Sequence, residues 1–179
     1  MATVVAESLR SGGDSTADRV LCLLDSLRHV RLGLPVNQLD HALQTAARAE
    51  AAGAPDEMIV AALCHDVGKA ISGHNHGAIA AEILRPFVSA GAYAILRHHE
   101  EFRYADYPRW TGVDPRARLR FRDEPWYRAA VVFADEWDRG ALDPDVRTPP
   151  LDHYSPLVRT VLGRPGSGIG SGHHLREAR

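Results

Sequence analysis

The chain has 179 residues, a length that fits one domain with a sizeable hydrophobic core. Hydrophobic residues make up 45% of it and charged residues 25%, which are ordinary values for a globular protein. A formal net charge of −2 gives no basic surface for nucleic acid, and no apolar run is long enough to span a membrane. Because the first residues lack the apolar core of a signal peptide, we expect a cytoplasmic protein.

Apolar residues at helical spacing predict an all-α fold over residues 15–162. In chain order, helices are expected over residues 15–32, 36–52, 55–68, 78–88, 93–100, 126–142 and 151–162. Ser15 and Asp18 have the spacing of a capping box, which marks the start of the first helix. Residues 102–124 have no clear period and are predicted to form a long surface loop.

The two ends of the chain are polar and rich in glycine or serine. We expect a flexible N-terminus at 1–14 and a disordered tail at 163–179, in which two further histidines have no assigned role. Cys22 and Cys64 both fall in apolar helical patterns, so two buried free thiols are expected rather than a disulfide framework.

An adjacent His65-Asp66 pair stands at the end of an apolar helix. At about 100° per residue, Asp66 lies on the same stripe as Ile59 and Leu63, which is the stripe expected to be buried. A buried carboxylate must be paired, hydrogen-bonded or bound to a metal ion. With an imidazole beside it, the carboxylate predicts a metal site whose other ligands lie elsewhere in the chain.

Ten histidines are the unusual feature of the composition. The further donors follow in the order His41, His76, His98 or His99, and Asp135 or Asp138. Helical phase from Leu39 predicts an exposed His41, which weakens it as a ligand on pattern alone. His76 opens a helix and could be a ligand or merely a helix-start residue. Asp135 and Asp138 both fall on a buried stripe, where at least one should bind a cation and the alternative is a salt bridge to arginine.

This ordered set resembles the HD-domain superfamily. The motifs that carry the resemblance are HDVGK at 65–69, NHGAIAAEIL at 75–84 and FADEWDRGALDPD at 133–145. The superfamily consists mainly of metal-dependent phosphohydrolases, with a smaller branch of di-iron oxygenases that includes myo-inositol oxygenases and oxygenases that cleave organophosphonates. The resemblance implies an HD-domain helical bundle with a dinuclear metal site in its core.

Three features are similar to the oxygenase branch. The segment QLDHALQTAARAEAAGAPDEMIVAALCHDVGK resembles the first half of those enzymes, where a Gln-Leu-acid-His run carries the first ligand. A lone histidine, His76, precedes a helix. An Arg-x-His spacing resembles their fifth ligand and favours His99 over His98, while an aromatic-Asp pair resembles their last ligand and favours Asp138 over Asp135.

Carried over to this sequence, the resemblance implies two iron ions in a mixed-valent Fe(II)/Fe(III) pair, with manganese, magnesium or another divalent pair as the alternative. The implied ligands are His41, His65, Asp66 and Asp138 for one ion, and His76, His99 and a bridging Asp66 for the other. Imidazole and carboxylate suit iron. About five of some twelve octahedral positions stay open for oxygen, substrate and water, which is typical of a catalytic site.

Lys69 resembles the lysine that contacts substrate in the inositol oxygenases, and Lys69 and Asp66 are the implied catalytic residues. The alternative for Lys69 is to cap the C-terminus of its helix. Arg31 and Leu34 stand near the places where the phosphonate enzymes carry a tyrosine and an acid. The inositol oxygenases have a lysine shortly after the last aspartate, where this chain has RGAL. Neither known substrate is therefore carried over.

The resemblance implies an oxygenase that activates O2 to oxidise or cleave a small oxygen-rich substrate such as a polyol, a hydroxy acid or a phosphonate-like compound. Arg103, Tyr104 and Arg109 are candidates for closing over an anionic substrate. The alternative is a metal-dependent phosphohydrolase, which the HDVGK motif and the His98-His99-Glu100 run also resemble. A binding domain without turnover is a third reading. No nucleic-acid or membrane partner is expected, and the oligomeric state stays open.

Overall fold

The computed structural model describes residues 15–107 and 109–163, without the side chain of Arg109. The predictions for the N-terminus at 1–14 and for the tail beyond 163 lie outside these residues. In the described part, seven α-helices follow one another: α1 (Thr16–Ser26), α2 (Gln38–Ala51), α3 (Asp56–Cys64), α4 (His76–Leu84), α5 (Ala90–Arg103), α6 (Tyr127–Val132) and α7 (Leu151–Leu162). No strand occurs among the described residues, so the predicted all-α fold class is confirmed.

Short 3₁₀ turns fill most of the connections: Leu27–His29, Val67–Ala70, Tyr104–Asp106, Arg109–Thr111 and Ala117–Phe121. Helix α6 continues directly into a π-helical turn, Phe133–Asp138. None of the described helices is long and apolar enough to cross a membrane. The predicted boundaries were least accurate around the long loop, since α5 extends to Arg103 and three of the 3₁₀ turns lie within the segment expected to be irregular.

Helix α1 begins as the sequence predicted. Ser15 Oγ accepts a hydrogen bond from the Asp18 backbone N–H, and the Asp18 carboxylate accepts one from the Ser15 backbone N–H, each at 3.1 Å. This capping box satisfies two N–H groups that the first turn of a helix leaves unpaired. The prediction for Cys22 was wrong, because its side chain is exposed, whereas Cys64 is buried as expected.

Helices α2 and α3 form the centre of the bundle. Nine of the fourteen residues of α2 are buried, and so is every residue of α3 from Ile59 to Cys64. Helices α1 and α7 pack together on one side of this centre, α4 and α5 pack together on another, and the π-helical turn lies against α2. The C-terminal end of α3 and the N-terminal end of α4 meet inside the protein, where polar side chains must find partners.

Gly68 allows the start of α4 to approach the turn after α3. A Cβ atom at this position would lie 2.3 Å from the backbone oxygen of His76. Because the clash would be with backbone, no rotation of a side chain could relieve it. A glycine here thus brings the first residue of α4 beside the end of α3. The sequence neighbours of Gly68 are the candidate functional residues, so this close approach shapes their site.

Candidate metal centre

Four histidines and two aspartates meet in the interior of the bundle. Helix α2 contributes His41, the turn after α3 contributes His65 and Asp66, and α4 contributes its first residue, His76. His99 comes from α5, and Asp138 ends the π-helical turn. The structure thus brings together all six residues that the sequence analysis named as metal ligands. Each is at most 4% exposed.

The four imidazoles of this donor cluster are oriented in the same way. In each, Nδ1 lies within hydrogen-bonding distance of a backbone carbonyl: His41 with Ala141 at 2.9 Å, His65 with Ala62 at 2.8 Å, His76 with Gly73 at 2.9 Å and His99 with Leu96 at 2.7 Å. Because a carbonyl oxygen accepts only, each Nδ1 carries the proton. Every Nε2 is then left with a lone pair that faces the centre of the cluster.

The two oxygens of Asp66 face two different pairs of histidines. Oδ2 lies 3.5 Å from Nε2 of His41 and 3.4 Å from Nε2 of His65. Oδ1 lies 3.1 Å from Nε2 of His76 and 3.5 Å from Nε2 of His99. Asp138 joins the first pair, with Oδ1 at 3.2 Å from Nε2 of His41. One carboxylate therefore stands between two groups of donors.

The arrangement fits metal ions better than it fits a network of hydrogen bonds. The Nε2 atoms of His41 and His65 are 3.1 Å apart, and those of His76 and His99 are 3.2 Å apart. When both imidazoles of a pair are neutral and carry their proton on Nδ1, each of these contacts sets two lone pairs against each other. Asp66 Oδ1 is also buried without a hydrogen-bond donor among the described residues. Cations between the donors would satisfy all of these atoms, and nitrogens about 2.1 Å from one ion at right angles lie about 3 Å apart.

The charges of the two aspartates are stabilised by their surroundings. Burial raises the pKa of Asp66, but the neighbouring imidazoles, above all His65, hold it well below its ordinary value. Burial likewise raises the pKa of Asp138, and His41, His65 and Arg103 lower it overall. Both carboxylates are therefore ionised at neutral pH, as metal binding requires.

Charge and burial divide the histidines. Burial lowers the pKa of His41 and of His99, but Asp138 and Asp66 raise both above the ordinary value. For His65, burial outweighs the same carboxylates, and its pKa is lowered. In the absence of a cation, two protons on imidazoles can thus partly replace the missing positive charge.

The prediction from helical phase that His41 is exposed was wrong. It assumed that only the stripe through Leu39 and Leu43 faces the core. Helix α2 is enclosed on several sides, however, and Gln38, Gln44 and Thr45 are buried with His41. A helix at the centre of a bundle is covered over more than one stripe, so some of its polar residues can be buried as well as its apolar ones.

His98 lies outside the donor cluster. Its ring stacks on Trp126, with the ring centres 5.9 Å apart, and its Nδ1 lies 2.9 Å from the Glu101 carboxylate. Phe121 packs against the same ring at 4.6 Å. Of the two adjacent histidines, only His99 contributes an atom near Asp66.

Asp135 is likewise separated from the donor cluster, although α-helical phase put it on one stripe with Asp138. Its carboxylate pairs with Arg118 at 3.0 Å and with Arg139 at 3.2 Å, as in the salt-bridge alternative of the sequence analysis. The π-helical turn is the reason for the separation. A π-helix bonds residue i to i+5, here Arg139 N–H to Ala134 O at 3.0 Å, and this wider turn changes the phase between the two aspartates.

Lys69 is bound at the edge of the cluster. Its ammonium group donates to Asp66 Oδ2 at 2.6 Å and to Gln38 Oε1 at 2.8 Å. Gln38 was not predicted as part of the site, although it lies one helical turn before His41, and it is buried. That spacing was a signal that could have been used, since residues three apart on a helix are neighbours.

A cavity of about 140 Å³ opens beside the cluster. Besides the six donors and Lys69, it is lined by Leu34, Glu100, Arg103, Tyr107 and Leu142. Arg103 was predicted to face a substrate, whereas Glu100 and Tyr107 were not singled out as substrate contacts. Tyr104, also predicted, packs against the Tyr107 ring at 5.5 Å and does not line the cavity.

Comparison with known proteins agrees with this arrangement. Residues 39–139, more than half of the chain, match the HD domain. The chain belongs to the HD-domain family. Within this HD domain, the matched stretch contains all six residues of the donor cluster, from His41 to Asp138.

Two curated relatives are similar to most of the chain. One is the 1-hydroxy-2-(trimethylamino)ethylphosphonate dioxygenase (glycine-betaine-forming) of Leisingera caerulea, 27% identical over 74% of this chain and 83% of the relative. The other is the hydroxymethylphosphonate dioxygenase of Gimesia maris, 30% identical over 71% of this chain and 78% of the relative. The predicted resemblance to the oxygenase branch is therefore confirmed.

Proposed function

We propose that this HD domain is a di-iron oxygenase that activates O2 to oxidise or cleave a small, oxygen-rich, anionic substrate. The observation that carries the proposal is the position of Asp66, whose two carboxylate oxygens face two separate pairs of imidazole nitrogens. A carboxylate in this position suits a bridge between two metal ions.

One ion would be held by His41, His65, Asp66 and Asp138, and the other by His76, His99 and Asp66. This donor set contains only nitrogen and oxygen, which suits iron and other redox-active or hard divalent ions. When bound, a mixed-valent Fe(II)/Fe(III) pair would supply one-electron chemistry with O2 and a template for the substrate. The similarity to two named dioxygenases supports iron over manganese or magnesium.

The protein side chains would bind and orient the substrate. Lys69 and Arg103 both line the cavity, so an anionic group can be met by an ammonium and by a guanidinium. Burial raises the pKa of Tyr107 to about 12, so its hydroxyl stays protonated and can donate a hydrogen bond to a substrate oxygen. A cavity of about 140 Å³ admits only a small molecule.

A hydroxylated phosphonate meets these requirements, since it offers an anionic group and a neighbouring oxygen donor. Substrates of that kind are named for both relatives. The details of recognition must differ in this chain, which has Arg31 and Leu34 near the places of the tyrosine and acid of the phosphonate enzymes. Leu34 lines the cavity, whereas Arg31 lines a separate surface pocket with Asp40 and Gln44.

Lys69 is proposed to act in catalysis through Asp66. Its ammonium neutralises Oδ2 of the Asp66 carboxylate, which would bridge the two ions, and it could exchange that contact for a substrate oxygen. Gln38 holds the same ammonium from the other side, which keeps the lysine beside the cluster. This pairing supports a role at the centre rather than at the end of the helix, since the lysine reaches two side chains of the site.

The position of His98 weakens the phosphohydrolase alternative. The resemblance to hydrolases that use adjacent histidines requires both rings at the metal, yet the His98 ring is stacked on Trp126 and paired with Glu101. A hydrolase that uses His99 alone stays open as an outcome of the test below.

Low-temperature EPR on aerobically purified protein tests the proposal. After partial reduction we expect a half-integer-spin signal from a coupled Fe(II)/Fe(III) pair, together with about two iron ions per chain by elemental analysis. Addition of hydroxymethylphosphonate should perturb the signal and start O2 consumption. Two redox-silent ions, with phosphate release from a panel of phosphate esters and no O2 uptake, would instead identify a phosphohydrolase.

A further inference from the structure

A line of alternating acidic and basic side chains runs from the donor cluster to the protein surface. From the inside outward, its members are Asp138, Arg103, Asp106, Arg139, Asp135 and Arg118. We call these six residues the ion-pair chain. Its inner end is a proposed metal ligand and its second member lines the cavity, so the chain connects the substrate pocket with a segment that the donor cluster does not touch.

Arg103 is held at two points. Its Nη1 lies 2.6 Å from Asp138 Oδ1, and its Nε donates to Asp106 Oδ2 at 2.8 Å. The two partners come from different elements, since Asp138 ends the π-helical turn and Asp106 ends a 3₁₀ turn. A planar guanidinium with two such partners has little freedom to rotate.

Asp106 is in turn held by Arg139. The Arg139 guanidinium donates from Nε to Asp106 Oδ2 at 3.0 Å and places Nη2 2.9 Å from Oδ1, a two-point contact. Burial raises the pKa of Asp106, but the hydrogen bonds from Arg103 and Arg139 lower it overall, so the carboxylate is charged at neutral pH. Asp106 is thus fixed between two arginines, one at the cavity and one at the surface.

We propose that Asp106, braced by Arg139, is a positioning residue that holds the Arg103 guanidinium at the cavity wall, where it binds the anionic group of the substrate. Which substrate is converted rests on the proposed function. Binding of an anion does not, because it can be measured without turnover. Asp106 touches neither the donor cluster nor the cavity and acts through Arg103.

If Asp106 acts only through its charge, loss of this carboxylate should strengthen anion binding, because by Coulomb's law removal of a negative charge near an anion site favours the anion. If Asp106 positions Arg103, the same loss should weaken it, because the guanidinium is freed. A change from Asp106 to asparagine keeps the size of the side chain and separates the two effects.

The experiment measures the Kd of methylphosphonate by isothermal titration calorimetry on the metal-containing protein. We expect Asp106→Asn to weaken binding about five- to tenfold, the size of the net contribution of one ordinary hydrogen bond. Arg139→Gln, which leaves the Arg103 contact in place, should weaken it about two- to threefold. The matched control is Asp114→Asn, which removes a carboxylate from the same segment where it pairs with Arg116, and should leave Kd unchanged.

A double-mutant cycle tests whether Asp106 acts through Arg103. The Kd of Arg103→Gln should not rise further when Asp106→Asn is added, and Asp106→Glu should restore part of the affinity. Unchanged or tighter binding by Asp106→Asn would overturn the proposal, and so would additive losses or no measurable binding by the wild-type protein. An altered EPR spectrum with unchanged Kd would also overturn it, because Asp106 would then act on Asp138 and not on the anion. Absence of iron or of O2 uptake would contradict the proposed function while leaving this measurement intact.

Discussion

The donor cluster and the ion-pair chain, which meet at Asp138 beside the cavity, are held in place in different ways. The donor cluster is fixed by backbone, because each imidazole bonds a carbonyl through Nδ1 and no member is more than 4% exposed. The ion-pair chain is instead fixed by side chains on short turns, and 41% of the Arg139 side chain and 31% of the Asp106 side chain are exposed. Rigid side chains suit metal ligands, whose geometry must not change, whereas ion pairs between side chains can exchange partners when a substrate binds.

The largest expected effect comes from changing Asp66, the central residue of the donor cluster. Asp66→Asn removes the charge between the two histidine pairs, and we expect metal content to fall from the proposed two ions per chain to nearly none, with loss of the proposed oxygenase activity. Elemental analysis of the purified variant checks this. Asp123→Asn, an exposed acid that pairs with Arg122, should retain both ions. Retention of one tightly bound ion by Asp66→Asn would show that Asp66 does not bridge.

A second prediction compares Asp138, which belongs to the donor cluster and to the ion-pair chain, with Asp135, which belongs to the ion-pair chain alone. Asp138 and Asp135 lie in the same π-helical turn, but only Asp138 faces the donor cluster. Asp138→Asn should therefore lower metal content to about one ion per chain. Asp135→Asn breaks surface ion pairs, so it should leave metal content unchanged and cost about 1 kcal/mol of stability or less. Loss of metal in both variants would contradict the separation of Asp135 from the donor cluster.

The smallest expected effect is a difference in pH dependence. In the metal-free protein, the raised pKa values of His41 and His99 stabilise the fold below about pH 6.5, and this stability is lost as pH rises through their raised values. The lowered pKa of His65 acts in the opposite direction, but only below that pH. Because the pKa of Asp106 is lowered, the ion-pair chain loses its contribution to stability only in acid, near and below about pH 4.

We therefore expect the thermal midpoint of EDTA-treated protein to fall by roughly 2–4 °C between pH 6.5 and pH 8.5, the size of a 1 kcal/mol change in a domain of this length. The metal-bound protein should show the reverse or no trend, because metal binding needs neutral imidazoles and strengthens as pH rises. Differential scanning fluorimetry measures the thermal midpoints of the metal-free and metal-bound forms at each pH. A metal-free midpoint that rises over this range would show that the histidines are not protonated in the cluster.

Pattern was a good guide to the elements and a poor guide to some side chains. The capping box at Ser15, the burial of Asp66 and the all-α fold class all follow from local spacing, and the structure has them as predicted. The exposure predicted for His41 was wrong because one stripe of leucines does not reveal how many neighbours surround a helix. The burial predicted for Cys22 was wrong for a related reason: a residue inside an apolar pattern can still lie at the margin of the buried face of its helix, and Cys22 is exposed.

The sequence offered a list of candidate donors, and the resemblance to the HD-domain superfamily selected the set from His41 to Asp138 among them, because helical phase alone left His98 or His99 and Asp135 or Asp138 open. Whether those residues meet could not be read from the sequence, since it depends on the approach of α4 to α3 at Gly68 and on the phase change in the π-helical turn. The ion-pair chain was even less accessible, because arginines are common and their partners are chosen by folding. Local periodicity records which side of a helix is apolar, but distances between side chains arise only when the helices pack.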